Sequence, residues 1–135
     1  MINCIYEAGA IVFRSQNDQI QILLIRSKKD PSKFVFPKGH IERGETEEET
    51  SKRELLEEAG IEGEFCGEAG TLQYRYNDKN YHVAFFLYRY LKVSGPGEPG
   101  RDPQWYNTED ALRLVLPNSR DLLSSSISAI KKHCN

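Results

Sequence analysis

Cysteine is scarce: Cys4, Cys66 and Cys134 stand far apart, with no CxxC spacing. This argues against a disulfide framework and against a structural zinc site, and reduced thiols are expected. Long apolar runs are missing too. No stretch approaches the roughly 18 to 20 apolar residues of a membrane span, and Met1-Ile2-Asn3-Cys4 lacks the basic segment and apolar stretch that open a secretory signal. A soluble, cytoplasmic protein without a membrane partner is expected. Charge is nearly balanced, 18 Lys+Arg against 20 Asp+Glu, for a net charge of −2. Duplex nucleic acid as a partner would call for a far more basic chain. What is present fits one domain over residues 1–135. Hydrophobic residues make up 39%, and runs such as Val83–Leu87 suffice for a core.

The balanced total conceals two clusters. From Glu45 to Glu58 seven Glu face only Lys52 and Arg53, a local balance of −5 that leaves the other 121 residues at +3. So concentrated a negative charge calls for a cation nearby. Just before it, Arg26, Lys28, Lys29, Lys33 and Lys38 face only Asp30, a setting that suits an anionic ligand.

Patterning predicts strands over 7–14 and 19–26 around the turn Ser15-Gln16-Asn17-Asp18. Phe34-Val35-Phe36 is a brief strand closed by Pro37, feeding a loop from Lys38 to Gly44. Thr46 and Glu49 form a capping box, and Gly60 stands where a helix ends in a left-handed residue, so a helix over about 47–59 is predicted. At 100° per residue Lys52, Leu55, Leu56 and Ala59 fall on one side, and Glu47, Glu54, Glu57 and Glu58 on the other. A long hairpin, 65–76 and 81–93, turns at Asn77-Asp78-Lys79-Asn80, and Ser94–Gly100 is a loop. Gln104-Trp105-Tyr106 reads as a short strand, Thr108 as the cap of a helix and Asn118 as the start of the last one.

Glu54, Glu57 and Glu58, three and four apart, project from adjacent turns. By itself that describes a solvated surface. A glycine loop carrying Lys38 and His40 runs straight into this helix, however, and hard oxygen ligands beside cations are what magnesium bound to phosphate oxygens requires.

The stretch from Gly39 through Glu45, seven intervening residues, and then Arg53-Glu54-Leu55-Leu56-Glu57-Glu58-Ala59-Gly60-Ile61 resembles the Nudix box, GX5EX7REUXEEXGU with U aliphatic. All nine defined positions of its 23 residues are met. The resemblance implies an α/β fold, an α/β/α sandwich with a mixed sheet, and a hydrolase that cleaves a nucleoside diphosphate, or a similar diphosphate, linked to another group by attack of water on phosphorus. It further implies that Glu54, Glu57 and Glu58 bind Mg2+, with Mn2+ as a substitute and a loop carbonyl at Lys38 or Gly39 as a further ligand. Arg53 would orient the glutamates and Glu45 would brace the loop. The water's proton would pass to Glu57 or Glu54, or to an acid of the later loop such as Glu98 or Asp102.

Phe36-Pro37-Lys38-Gly39-His40 resembles the dinucleoside polyphosphate hydrolases of that family, whereas the mutator-type pyrophosphatases more often carry a second glycine there. Lys38 and His40 would then meet the phosphate chain, and Lys33, with Lys28 and Lys29, would extend a cationic rim. Tyr74, Tyr76 and Tyr81 flank the turn, and Tyr74 and Tyr76 share a strand face; each could stack a base or simply pack across the strands. Three readings follow: a diadenosine tetraphosphate hydrolase, a diphosphoinositol polyphosphate or nucleoside triphosphate hydrolase, and a non-catalytic nucleotide sensor, which a complete set of box glutamates argues against.

Overall fold

A computed structural model describes residues 3–134. Seven strands form one mixed sheet: β1 (Cys4–Gln16), β2 (Gln19–Arg26), β3 (Phe34–Val35), β4 (Lys38–His40), β5 (Ile61–Tyr76), β6 (Lys79–Val93) and β7 (Gln104–Asn107). The main order is β3-β2-β1-β6-β5, with β4 paired to β1 and β7 to β2. Among the pairings of these described strands, only the central β1–β6 pair is parallel, while β1–β2, β5–β6 and the others run antiparallel. Both hairpin turns place two residues at positive φ, Asn17 and Asp18 in one and Asn77 and Asp78 in the other. That geometry matches the strand twist and lets each strand run closer to its turn than composition alone suggested.

The central strands read as continuous apolar runs because both of their faces are covered. Ile11, Phe13, Ile22, Leu24, Val83, Phe85 and Leu87 pack on one face beneath the helices α2 (Thr108–Leu114) and α3 (Arg120–Ala129), through Ala111, Leu122, Leu123 and Ile127. Ala8, Ala10, Val12, Leu23, Ile25, Ala84, Phe86 and Tyr88 pack on the other, against Leu55 and Ala59. Those two belong to α1 (Glu47–Glu54) and the wider π turn Leu55–Ala59 that continues it. The result is the expected α/β/α sandwich.

Local chemistry sets the helix bounds. Thr46 Oγ1 accepts from the Glu49 N–H at 3.1 Å and the Glu49 carboxylate accepts from the Thr46 N–H at 2.9 Å, while Gly60 ends the helix at φ 70°. Four expectations need correction. Lys38–His40 is a strand paired with Glu7–Gly9 instead of the start of a loop. Asn107, not Thr108, caps α2, its Oδ1 accepting from the Asp110 N–H at 2.8 Å. Pro117–Ser119 forms a 3-10 turn, so α3 begins at Arg120 instead of Asn118.

The fourth correction concerns the faces of α1. Glu54 and Glu58 are buried along with Thr50, Ser51, Leu55 and Ala59, whereas Lys52 is exposed and Leu56 is 40% exposed. At 100° per residue those six buried positions occupy one arc, which polarity alone had divided. Thr50 and Ser51 make that arc compatible with burial because their hydroxyls find partners. Ser51 Oγ lies 2.7 Å from the Tyr88 hydroxyl, and Thr50 Oγ1 donates to Glu45 at 2.8 Å.

Candidate active site

Pairing of β4 with β1 sets Lys38 opposite Gly9, Gly39 opposite Ala8 and His40 opposite Glu7. Gly39 lies directly over the Glu54 carboxylate, and a Cβ there would collide with it. This close approach is the reason for glycine at a position whose backbone is an ordinary strand.

Arg53 ties the acidic helix to the loop before it. Its Nε and Nη2 donate to the two oxygens of Glu45 at 2.7 and 3.0 Å, a bidentate fork. Nη1 reaches Glu54 at 2.7 Å and Glu57 at 3.2 Å, and Nη2 reaches the His40 carbonyl at 3.0 Å. Glu45 also accepts from the Glu42 N–H at 3.0 Å. The guanidinium, above all, holds the Glu45 carboxyl down at about 2. One cation, which also reaches Glu42 at 3.4 Å, thus gathers four glutamates and a carbonyl that would otherwise repel one another.

Glu58 accepts from the Lys38 N–H at 3.1 Å and pairs with the Arg101 guanidinium at 3.2 Å. Burial, opposed by Arg101 and assisted by the adjoining Glu54 carboxyl, pushes Glu58 up to about 8. Glu54 and Glu58 are therefore brought together. Glu57, its side chain 56% exposed, lies out at the rim on Arg53, so among the described residues no three such side chains converge on one point. The Glu54–Glu58 pair, adjoining hard oxygens with the Glu54 carboxylate directly against Gly39, fits a divalent cation of the Mg2+ type in donor chemistry. Glu98 and Asp102 are poor candidates for proton acceptors. Arg101, at 2.7 Å, holds Glu98 below the usual carboxylate range, and Gln104 and Arg26 do the same for Asp102.

Glu58 also borders a cleft of about 640 Å³. All six residues expected to bind substrate, Lys33, Lys38, His40, Tyr74, Tyr76 and Tyr81, line it. Tyr74 and Tyr81 stack on each other across the strands, centroids 5.1 Å apart and rings 5° from parallel. Lys29 Nζ sits 4.1 Å from the Tyr76 ring, and that tyrosine is 43% exposed. Burial works to lower the Lys38 ammonium, but the Glu7 carboxylate at 2.6 Å outweighs it and holds the group above its ordinary value. Two residues that sequence reasoning missed belong here, Glu7 and Arg101, both buried. Glu7 opens an apolar strand and Arg101 follows a glycine-rich loop, and neither has a periodic signal. Only the β1–β4 register and the fold of that loop bring them in.

Comparisons with known proteins bear on the family and the fold. A family model described as NUDIX domain matches residues 6–125. The bis(5'-nucleosyl)-tetraphosphatase [asymmetrical] of Caenorhabditis elegans is 30% identical over 119 residues, 80% of this chain and 83% of that protein. Mouse diphosphoinositol polyphosphate phosphohydrolase 3-alpha is 26% identical over 112 residues, 80% of this chain and 67% of the relative. A longer C. elegans relative, putative nudix hydrolase 1, is 31% identical over 116 residues, 80% of this chain but only 30% of its own length. In fold, a crystal structure of a C. elegans Ap4A hydrolase binary complex superposes with a TM-score of 0.78 at 22% identity, covering 95% of this chain and 98% of that one. With the box residues gathered on one helix, its loop held against them by Arg53, and the family match spanning nearly the whole sandwich, the chain belongs to the Nudix hydrolase family.

Proposed function

We propose that the protein is a metal-dependent hydrolase of dinucleoside polyphosphates, with diadenosine tetraphosphate as the leading substrate. The observation that carries this reading is the continuity between the Glu54–Glu58 pair and a cleft that combines Lys33, Lys38 and His40 with Tyr74, Tyr76 and Tyr81. Cations meet the phosphate chain, and an exposed aromatic such as Tyr76 offers a base a face to stack on. The tetraphosphatase relative adds support.

Glu54 and Glu58, with the Gly39 carbonyl and with Glu57 joining them from its exposed position at the rim, would hold Mg2+ or, in its place, Mn2+. When bound, the cation supplies charge neutralisation at the diphosphate and a more acidic water. Arg53 orients Glu54 and Glu57, and Glu45 holds Arg53. The water's proton passes to Glu57 or Glu54. Lys38 and His40 position the phosphate chain so that one phosphorus faces the attacking water.

The test is product analysis of the purified protein with Mg2+ on diadenosine polyphosphates, nucleoside triphosphates and an inositol pyrophosphate. Preferred cleavage of diadenosine tetraphosphate to ATP and AMP is expected. Preference for the inositol compound, which the mouse relative's name brings into view, would retain the helix chemistry and discard base stacking. No turnover of any of them would favour a sensor.

A further inference from the structure

Glu7 is a carboxylate in the wrong place for a cleft that binds anions. It is only 5% exposed, yet it lines the cleft beside the groups expected to bind phosphate. Its Oε1 accepts from Lys38 Nζ at 2.6 Å and its Oε2 lies 3.3 Å from His40 Nε2. On the other side, the same ammonium stands 5.8 and 5.9 Å from the stacked Tyr74 and Tyr81 rings. Lys38, the cleft's inner lysine, is thereby paired, fixed in place and charge-neutralised. The outer lysines Lys28, Lys29 and Lys33 form no ion pair among the described residues.

The cleft therefore attracts anions at its rim while its interior is close to neutral. Coulomb repulsion from Glu7 grows with the charge brought close to it. A linear phosphate chain passing through sets one phosphate at the inner end, whereas a compact, heavily phosphorylated ring sets several there at once. We propose that Glu7 is a specificity-determining residue, a charge filter that disfavours compact polyanions against linear nucleotide chains. This rests on the nucleotide reading above.

Binding without turnover tests it separately from that reading. Affinities of the native protein and of Glu7→Gln would be measured by calorimetry without added divalent metal, using inositol hexakisphosphate and AMP as probes. Loss of the carboxylate charge should tighten inositol hexakisphosphate about tenfold or more and AMP by about threefold or less, with Glu7→Asp staying near native for both. A merely structural role would weaken both probes alike. Unchanged or weaker binding of inositol hexakisphosphate by folded Glu7→Gln would overturn the proposal. If that variant does not fold, Lys38→Met serves. With Glu7 left facing the cleft without its lysine, inositol hexakisphosphate should weaken at least tenfold more than AMP, and equal weakening of the two would overturn the proposal. Filter behaviour in a protein that hydrolyses no dinucleotide would sink the substrate reading and leave Glu7's role standing.

Discussion

Two regions of the molecule, the acidic helix and the cleft, are built in different ways. In the first, the acidic apparatus comes almost whole from 23 consecutive residues, Gly39–Ile61, whose spacing, capping box and terminal glycine fold it locally. In the second, the cleft draws Glu7 from β1, Lys33 and Lys38 from around β3 and β4, Tyr74 and Tyr81 from β5 and β6, and Arg101 from a late loop. On the proposed function, chemistry that every substrate needs would sit on the local unit, and recognition that can differ would sit on the long-range one. Changes on the helix should therefore lower turnover whatever the substrate, while changes in the cleft should alter KM according to the ligand.

The strongest test of that division is Glu54→Gln or Glu57→Gln. Each keeps shape and removes a charge that helps neutralise the diphosphate, a loss of several kcal/mol or about a thousandfold in kcat. The loss should be alike for every substrate the protein accepts, and the folded state should persist by circular dichroism. A Glu57→Gln protein with near-native kcat would break the assignment. Arg53→Met comes next. It leaves the chemistry's ligands in place but releases Glu45, Glu54 and Glu57 from their shared cation, so kcat should fall about 10- to 100-fold. Because the buried Glu54 also loses its partner, the melting temperature should drop as well. A rise in KM alone, at unchanged kcat, would show that Arg53 belongs to the cleft.

The local unit was largely legible before folding. Thr46, Glu49 and Gly60 marked the helix ends, and the spacing of Glu45, Arg53, Glu54 and Glu57 carried the hub that the structure displays. Burial was the part that could not be read. Glu54 and Glu58 turn inward because Ser51 meets the Tyr88 hydroxyl, 37 positions away, and because Gly39 offers no Cβ, facts of tertiary contact and not of polarity. The lining residues Lys38 and Tyr74 were found from residue type, but Glu7 and Arg101 were not. A lone acid in an apolar strand and an arginine after a loop acquire meaning only once β1 pairs with β4 and the loop folds back. The shift of the buried arc, which takes in Glu54 and Glu58 and leaves Lys52 and Leu56 out, has the same origin, since a hydrophobic pattern cannot identify buried carboxylates.

A cleft substitution sharpens the contrast at smaller scale. Tyr76→Ala removes a ring that is exposed and topped by Lys29, so a stacked base would lose about 1 kcal/mol, the low end for such contacts. KM for diadenosine tetraphosphate should rise about fivefold at unchanged kcat, and an inositol substrate, having no base, should be unaffected. An equal KM rise for both would mean that Tyr76 acts through Lys29 and not through stacking.

The smallest effect on activity belongs to the helix's own beginning. Thr46→Ala removes the hydroxyl that caps α1 and half of a reciprocal pair with Glu49, which costs about 1 kcal/mol of stability. For a chain of this size the melting temperature should fall by roughly 3 to 5 °C. Turnover and KM should stay native, since Arg53 still fixes Glu45, Glu54 and Glu57 from the far end of the same helix. The cap and the hub would then be separable, one holding the helix and the other aiming it. A kcat that fell along with the melting temperature would instead mean that the first turn transmits its geometry to the carboxylates through Thr50, whose Oγ1 touches both the Thr46 carbonyl and Glu45.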